Sequence, residues 1–115
     1  MNIYTRVKFD AAHYLPLHPG KCRNLHGHTY TVELGIKNLP IDPKTGMSID
    51  FGEVKEWLYY NVVAVFDHQS LNGVMREPPT AENIALYIRE KASKMWHHGV
   101  VRVFETADCW AEVEW

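Results

Sequence analysis

Hydrophobic and polar positions alternate from the start of the chain. Ile3, Thr5, Val7, Phe9, Ala11 and His13 share one phase, and Tyr4, Arg6, Lys8 and Asp10 share the other. A period of two predicts a half-buried strand over residues 3–13. Pro16, Pro19 and Gly20 break any regular period and predict a loop over 14–25. A second strand opens at His26 or His28 and runs to Lys37, with Tyr30, Val32, Leu34 and Ile36 in phase with both histidines. Pro40, Pro43 and Gly46 then mark a turn-rich connection from Leu39 to Ser48.

The period changes at Asp50. With Glu53 three residues on, Asp50 reads as a capping box that opens a helix, and Val54, Trp57, Leu58, Val62 and Val65 form its apolar stripe. Asp67 and His68 follow directly. Asn72-Gly73 and Pro78-Pro79 predict a further loop over 70–79, after which Thr80 caps a second helix with Ile84, Ile88, Ala92 and Met95 on one side. His97 and His98 end that helix and complement its C-terminus. Two last strands, about 100–106 and 109–115, flank a tight connection at Ala107-Asp108. The order β-β-α-α-β-β predicts an α+β fold, a four-stranded antiparallel sheet with both helices on one face. Its two open edges invite pairing with further copies.

A length of 115 residues predicts one domain spanning 1–115. A net charge of -2 with scattered basic residues gives no electrostatic reason to expect nucleic acid or an anionic membrane as partner. No apolar run approaches the roughly 20 residues a bilayer needs, and Met1 to Arg6 lacks the pattern of a signal peptide. The expected setting is cytoplasmic, where Cys22 and Cys109 stay reduced.

Periodicity places His13, His26 and His28 on the inner faces of two successive strands. The Cα atoms of His26 and His28 would lie roughly 6.5 Å apart, close enough for both rings to reach one ion at about 2.0–2.1 Å. Three neutral imidazoles leave a fourth position open, the mark of a catalytic zinc, and suit zinc better than copper or iron. His13 alone would read as a core residue; the shared face changes that reading. His18 competes for a ligand role but lacks the phase.

Cys22, four residues before His26, admits three readings: a small buried hydrophobe, a fourth ligand that closes a structural site, or a thiol facing the open position. Asp67 beside His68 can orient the imidazole and raise its basicity, so that Cys22, His68 and Asp67 can form a proton relay. The alternative is that Asp67 only ends the helix. Glu105 shares the phase of Val101 and Val103. It either sits solvated at the strand end or faces a pocket, where it accepts two parallel N–H bonds from a 2-amino-4-oxo pteridine or guanine edge. Thr106 and Pro78-Pro79-Thr80 can frame such a pocket.

Phe9-Asp-Ala-Ala-His13, Cys22-x-x-x-His26-Gly-His28, Met47-Ser-Ile-Asp-Phe51, Asp67-His68-x-x-Leu71-Asn72, Pro79-Thr-Ala-Glu-Asn83 and Val103-x-Glu105-Thr106 together resemble the 6-pyruvoyltetrahydropterin synthase family, across essentially the whole chain. The cysteine four residues before His-Gly-His resembles its queuosine-pathway branch, the 6-carboxy-5,6,7,8-tetrahydropterin synthases. The resemblance implies the tunnelling fold (T-fold), in which three subunits close a β-barrel and two trimers stack. It implies one Zn2+ per subunit on His13, His26 and His28, Cys22 as proton acceptor, Asp67 and His68 as its relay, and Glu105 with Thr106 as pterin anchors. The implied substrate is 7,8-dihydroneopterin triphosphate, with acetaldehyde and triphosphate released. Lys21 and Arg23 are candidates for the triphosphate or are solvated loop charges. A pyruvoyl-forming relative and a zinc-containing pterin-binding protein without turnover are the rivals. The stretch after Thr106 fits the family less well, and Cys109 has no role there.

Overall fold

Strands Ile3–His13 (β1) and His26–Ile36 (β2) form one long antiparallel hairpin, with Ile3 opposite Ile36 at one end and His13 opposite His26 at the other. The computed structural model describes residues 1–115. Gly99–Phe104 (β4) adds antiparallel to β2, and Trp110–Glu114 (β5) adds antiparallel to β4. The inner face of the sheet, carried by Phe9, Tyr30, Val32, Leu34, Val101 and Val103, is covered by the helices and forms one continuous core with them.

The sheet departs from the expected four strands. A two-residue strand, Gln69–Ser70 (β3), pairs parallel with β1 at Ala11 and Ala12, which makes the sheet mixed and five-stranded in the order β3-β1-β2-β4-β5. Two residues cannot display a period, so the pattern of hydrophobic positions carries no trace of it.

The first helix is also not uniform. Phe51–Leu58 (α1) runs into a wider π-type turn at Tyr59–Val63 and closes with Ala64–Phe66 (α2). The fully buried residues Val54, Leu58, Val62 and Phe66 recur every fourth residue. In an α-helix such a row drifts about 40° per step, and a wider turn absorbs the drift so that Phe66 still faces the sheet. Asp50 caps α1 by accepting the Gly52 N–H at 2.8 Å, a local turn in place of the expected capping box with Glu53.

A short helix, Leu71–Val74 (α3), interrupts the expected loop after β3. Thr80 caps Ala81–Ala92 (α4) by accepting the Asn83 N–H at 3.2 Å. That helix ends earlier than the stripe suggested. Met95 is exposed, and His97 and His98 lie beyond the Ser93 cap rather than at the helix terminus. Strand β4 stops at Phe104, leaving Glu105 and Thr106 in the turn before β5.

Candidate metal centre

The hairpin register brings His13, His26 and His28 together at the loop end of the inner face, with one candidate ligand nitrogen from each lying within 4.8 Å of the others. His13 is fully buried. Backbone carbonyls fix two of the tautomers. His13 Nδ1 donates to the Pro79 carbonyl at 2.7 Å, and His26 Nδ1 donates to the Asn24 carbonyl at 2.7 Å. Since a carbonyl only accepts, both protons sit on Nδ1 in the neutral rings and both Nε2 atoms carry lone pairs. Those two Nε2 atoms face each other at 3.0 Å.

His28 Nε2 is buried without a hydrogen-bond partner, although Glu105 Oε1 stands 3.2 Å away. Burial pushes the His28 imidazole below its usual range; Glu105 opposes the shift, and the neighbouring His13 and His26 add to it. Opposed lone pairs and an orphaned buried nitrogen are what a cation among three neutral imidazoles would satisfy, so the donor set fits a divalent metal. Beneath it, the Tyr30 ring stacks on Phe9 at 4.9 Å and sets its hydroxyl 3.3 Å from His13 Nδ1 and 3.4 Å from His13 Nε2. Burial, reinforced by the Glu105 charge, pushes the Tyr30 phenol up and keeps it protonated.

The other candidates surround this centre without all touching it. Cys22 lies half-buried in a single 3-10 turn, Lys21–Arg23, on the loop that joins the two ligand strands. Asp67 and His68 are docked on the edge of β1 away from β2, just ahead of β3. Asp67 Oδ1 accepts the Asp10 N–H at 3.0 Å, the His68 N–H donates to the Asp10 carbonyl at 2.7 Å, and Asp67 Oδ2 meets His68 Nδ1 at 2.9 Å. The Asp10 N–H first, and the His68 ring second, hold the Asp67 carboxyl below its usual range. His68 sits in the left-handed region with φ of 58°, a conformation these bonds maintain. A cleft of about 590 Å³ along this edge is lined by Asp10, His28, Thr29, His68 and Ser70. Within one chain no hydrogen bond joins Cys22 to the Asp67–His68 pair.

Glu105 turns its side chain to the inner face beside His28, continuing the phase of Val103 beyond the strand end. Its other side borders a recess of about 180 Å³ lined by Ala81, Glu82, Cys109 and Trp110. The Thr106 hydroxyl accepts the Asp108 N–H at 3.4 Å and so shapes the β4–β5 turn. His18 stays outside the cluster, its Nδ1 accepting the Gly20 N–H at 2.9 Å. Lys21 and Arg23 form no ion pair. Sequence reasoning missed the carbonyls of Pro79 and Asn24 and the Tyr30 hydroxyl. Only Tyr30 left a signal, standing two residues after His28 in the same phase.

The family model described as 6-pyruvoyl tetrahydropterin synthase matches residues 2–115. A 6-carboxy-5,6,7,8-tetrahydropterin synthase of Synechocystis is 38% identical over 110 residues, covering 90% of this chain and 85% of the relative. A dihydroneopterin monophosphate aldolase of Pyrococcus furiosus is 34% identical over 117 residues, covering 98% of this chain and 96% of its own length. The solved structure of Caenorhabditis elegans 6-pyruvoyl tetrahydropterin synthase superposes with a TM-score of 0.84 at 25% identity, covering 100% of this chain and 95% of that one. The fold is therefore the T-fold of these enzymes. The chain belongs to the 6-pyruvoyl tetrahydropterin synthase family and is an enzyme of the lyase type.

Proposed function

We propose that residues 1–115 form a single zinc-dependent domain that converts 7,8-dihydroneopterin triphosphate to 6-carboxy-5,6,7,8-tetrahydropterin, releasing acetaldehyde and triphosphate, as a cytoplasmic step of queuosine biosynthesis. The observation that carries this reading is the pair of Nε2 lone pairs facing each other at 3.0 Å beside the orphaned nitrogen of His28. The similarity to the Synechocystis relative favours this branch.

His13, His26 and His28 hold the ion. When bound, zinc supplies Lewis acidity to the hydroxyls of the substrate side chain. Cys22 takes a proton from a side-chain carbon and returns it elsewhere on the substrate. His68, whose Nδ1 is committed to Asp67, offers Nε2 as the other end of the relay. Three copies joined through the two outer edges of the sheet, β5 and the part of β1 that β3 leaves unpaired, close a barrel, and two such trimers stack. Glu105 accepts the paired N–H groups of the 2-amino-4-oxo edge, with Thr106 at the rim.

Incubation of zinc-loaded protein with 7,8-dihydroneopterin triphosphate, following pterin masses and acetaldehyde together, tests the proposal. A 6-carboxy product with stoichiometric acetaldehyde is expected. A pyruvoyl product moves the chain to another branch, and intact substrate beside bound zinc leaves a binding protein without turnover. A second reading, favoured by the nearly end-to-end match to the Pyrococcus furiosus enzyme, is aldol cleavage of a dihydroneopterin monophosphate. Turnover of the monophosphate in place of the triphosphate would select it.

A further inference from the structure

The loop of residues 14–25 starts immediately after His13 and carries Cys22, yet its only helical turn is Lys21–Arg23. Its first residue is held by one side chain. Asn72 accepts the Tyr14 N–H through Oδ1 at 3.0 Å and donates from Nδ2 to the Tyr14 carbonyl at 2.9 Å. The amide thus supplies both bonds of a partner strand at the point where β3, paired only to Ala11 and Ala12, has ended. One residue on, the Leu15 N–H donates to the Cys22 carbonyl at 2.8 Å. A continuous path of bonded neighbours therefore runs from Asn72 through Tyr14 and Leu15 to Cys22.

The anchor of this path is tied to the core. Asn72 lies in α3 next to Leu71, which is fully buried in the core. The remaining hydrogen bonds of the loop stay inside it or reach the His26 ring. We infer that Asn72 is a positioning residue that sets where the Cys22 thiol stands relative to the three histidines. This rests on the reading of Cys22 as proton acceptor. The chemistry is specific to a primary amide on a one-carbon stem. Aspartate lacks the donor, alanine lacks both groups, and glutamine reaches one methylene too far.

The test compares the zinc-loaded parent with Asn72→Ala and Asn72→Asp by three readouts. These are alkylation of Cys22 by iodoacetamide, counted on its own peptide so that Cys109 is separate, hydrogen exchange over residues 14–24, and kcat with KM. In Asn72→Ala, Cys22 should label about tenfold faster, because loss of two hydrogen bonds lets the loop open locally. Exchange should rise in 14–24 and stay at the parent's level in α4, with zinc content unchanged. Misplacement of a reacting group by about 1 Å costs up to about a hundredfold, so kcat should fall about tenfold or more with KM within about twofold. Asn72→Asp, which keeps the acceptor, should fall between and stands in if the alanine variant does not fold.

Parent-like labelling and exchange in both variants would overturn the inference, as would an unchanged kcat per zinc-loaded molecule. If the parent itself shows no turnover while the labelling difference holds, the proposed activity fails and the tether stands. If the parent turns over and labelling does not change, only the tether fails.

Discussion

Two polar clusters, each built on one buried side chain, Glu33 and His13, sit on opposite faces of the same β1–β2 hairpin, and they are finished in different ways. On the outer face Glu33, only 5% exposed, accepts from Arg6 at 2.6 Å and from Arg102, which also binds Glu112. Phe104 and Tyr4 lie beside the two guanidinium groups at 5.6 and 5.7 Å. Every charge there has a partner. On the inner face His13 and His26 turn lone pairs toward each other and His28 ends on an orphaned nitrogen. A buried polar group without a partner is costly, so the outer cluster reads as complete and the inner one as a donor set that an ion could complete. Polar burial alone does not mark function; the unmet valence does.

The sharpest break between the faces is removal of metal. A ligand held at a thousandfold above its Kd stabilises the folded state by about 4 kcal/mol. Dialysis of the protein against a chelator should therefore lower Tm by many degrees, and added zinc should restore it. His26→Ala should abolish this response, while Glu33→Gln should keep it. A chelator-insensitive Tm in protein shown to contain zinc would refute the contrast.

Replacement of Glu33 comes next in size. Glu33→Gln leaves Arg6 and Arg102 without their shared carboxylate and should cost about 1–3 kcal/mol, with zinc stoichiometry unchanged. The pH dependence has a definite sign. Burial alone would raise the Glu33 carboxyl, but bonds from Arg6 and Arg102 outweigh it and hold it below its usual range. A depressed acid contributes stability that is present above its unfolded pKa, about 4.3, and is lost as pH falls through the folded value. The stability gap between parent and variant should be full at pH 7 and shrink below about pH 4, as denaturant titrations at several pH values would show. A gap that does not depend on pH would mean the outer cluster acts through packing alone.

The inner cluster was legible in the sequence because alternation is a local rule: two phases, counted independently, put three histidines on one face. Its finishing contacts were not. The carbonyl that fixes the His13 tautomer belongs to Pro79, 66 residues away, and a carbonyl is present at every position, so no residue type announces it. Glu105 was ambiguous for a similar reason. Its phase was readable, but whether that phase was still enclosed beyond the end of β4 depended on the turn and on α4. The π-type turn did leave a trace, in the fourfold spacing of Val54, Leu58, Val62 and Phe66, which an α-helical stripe does not sustain.

The smallest expected effect probes how far the inner cluster depends on a helix cap. Pro79, whose carbonyl holds His13, lies between Pro78 and the N-cap Thr80. Two side chains tie this turn to α4: the Thr80 hydroxyl accepts the Asn83 N–H, and Asn83 Nδ2 donates to the Pro78 carbonyl at 2.9 Å. Thr80→Ala removes the first tie and should cost about 1 kcal/mol of stability. Because the Asn83 tie remains, zinc affinity should fall less than the roughly 10–100-fold seen when a partner of a metal ligand is lost outright. Competition titration with a zinc indicator, read beside a denaturation curve, measures both. A tenfold or greater loss of affinity at this small stability cost would show that the cap and the histidines act as one unit, and that the inner face is held from the α4 side as much as from the hairpin.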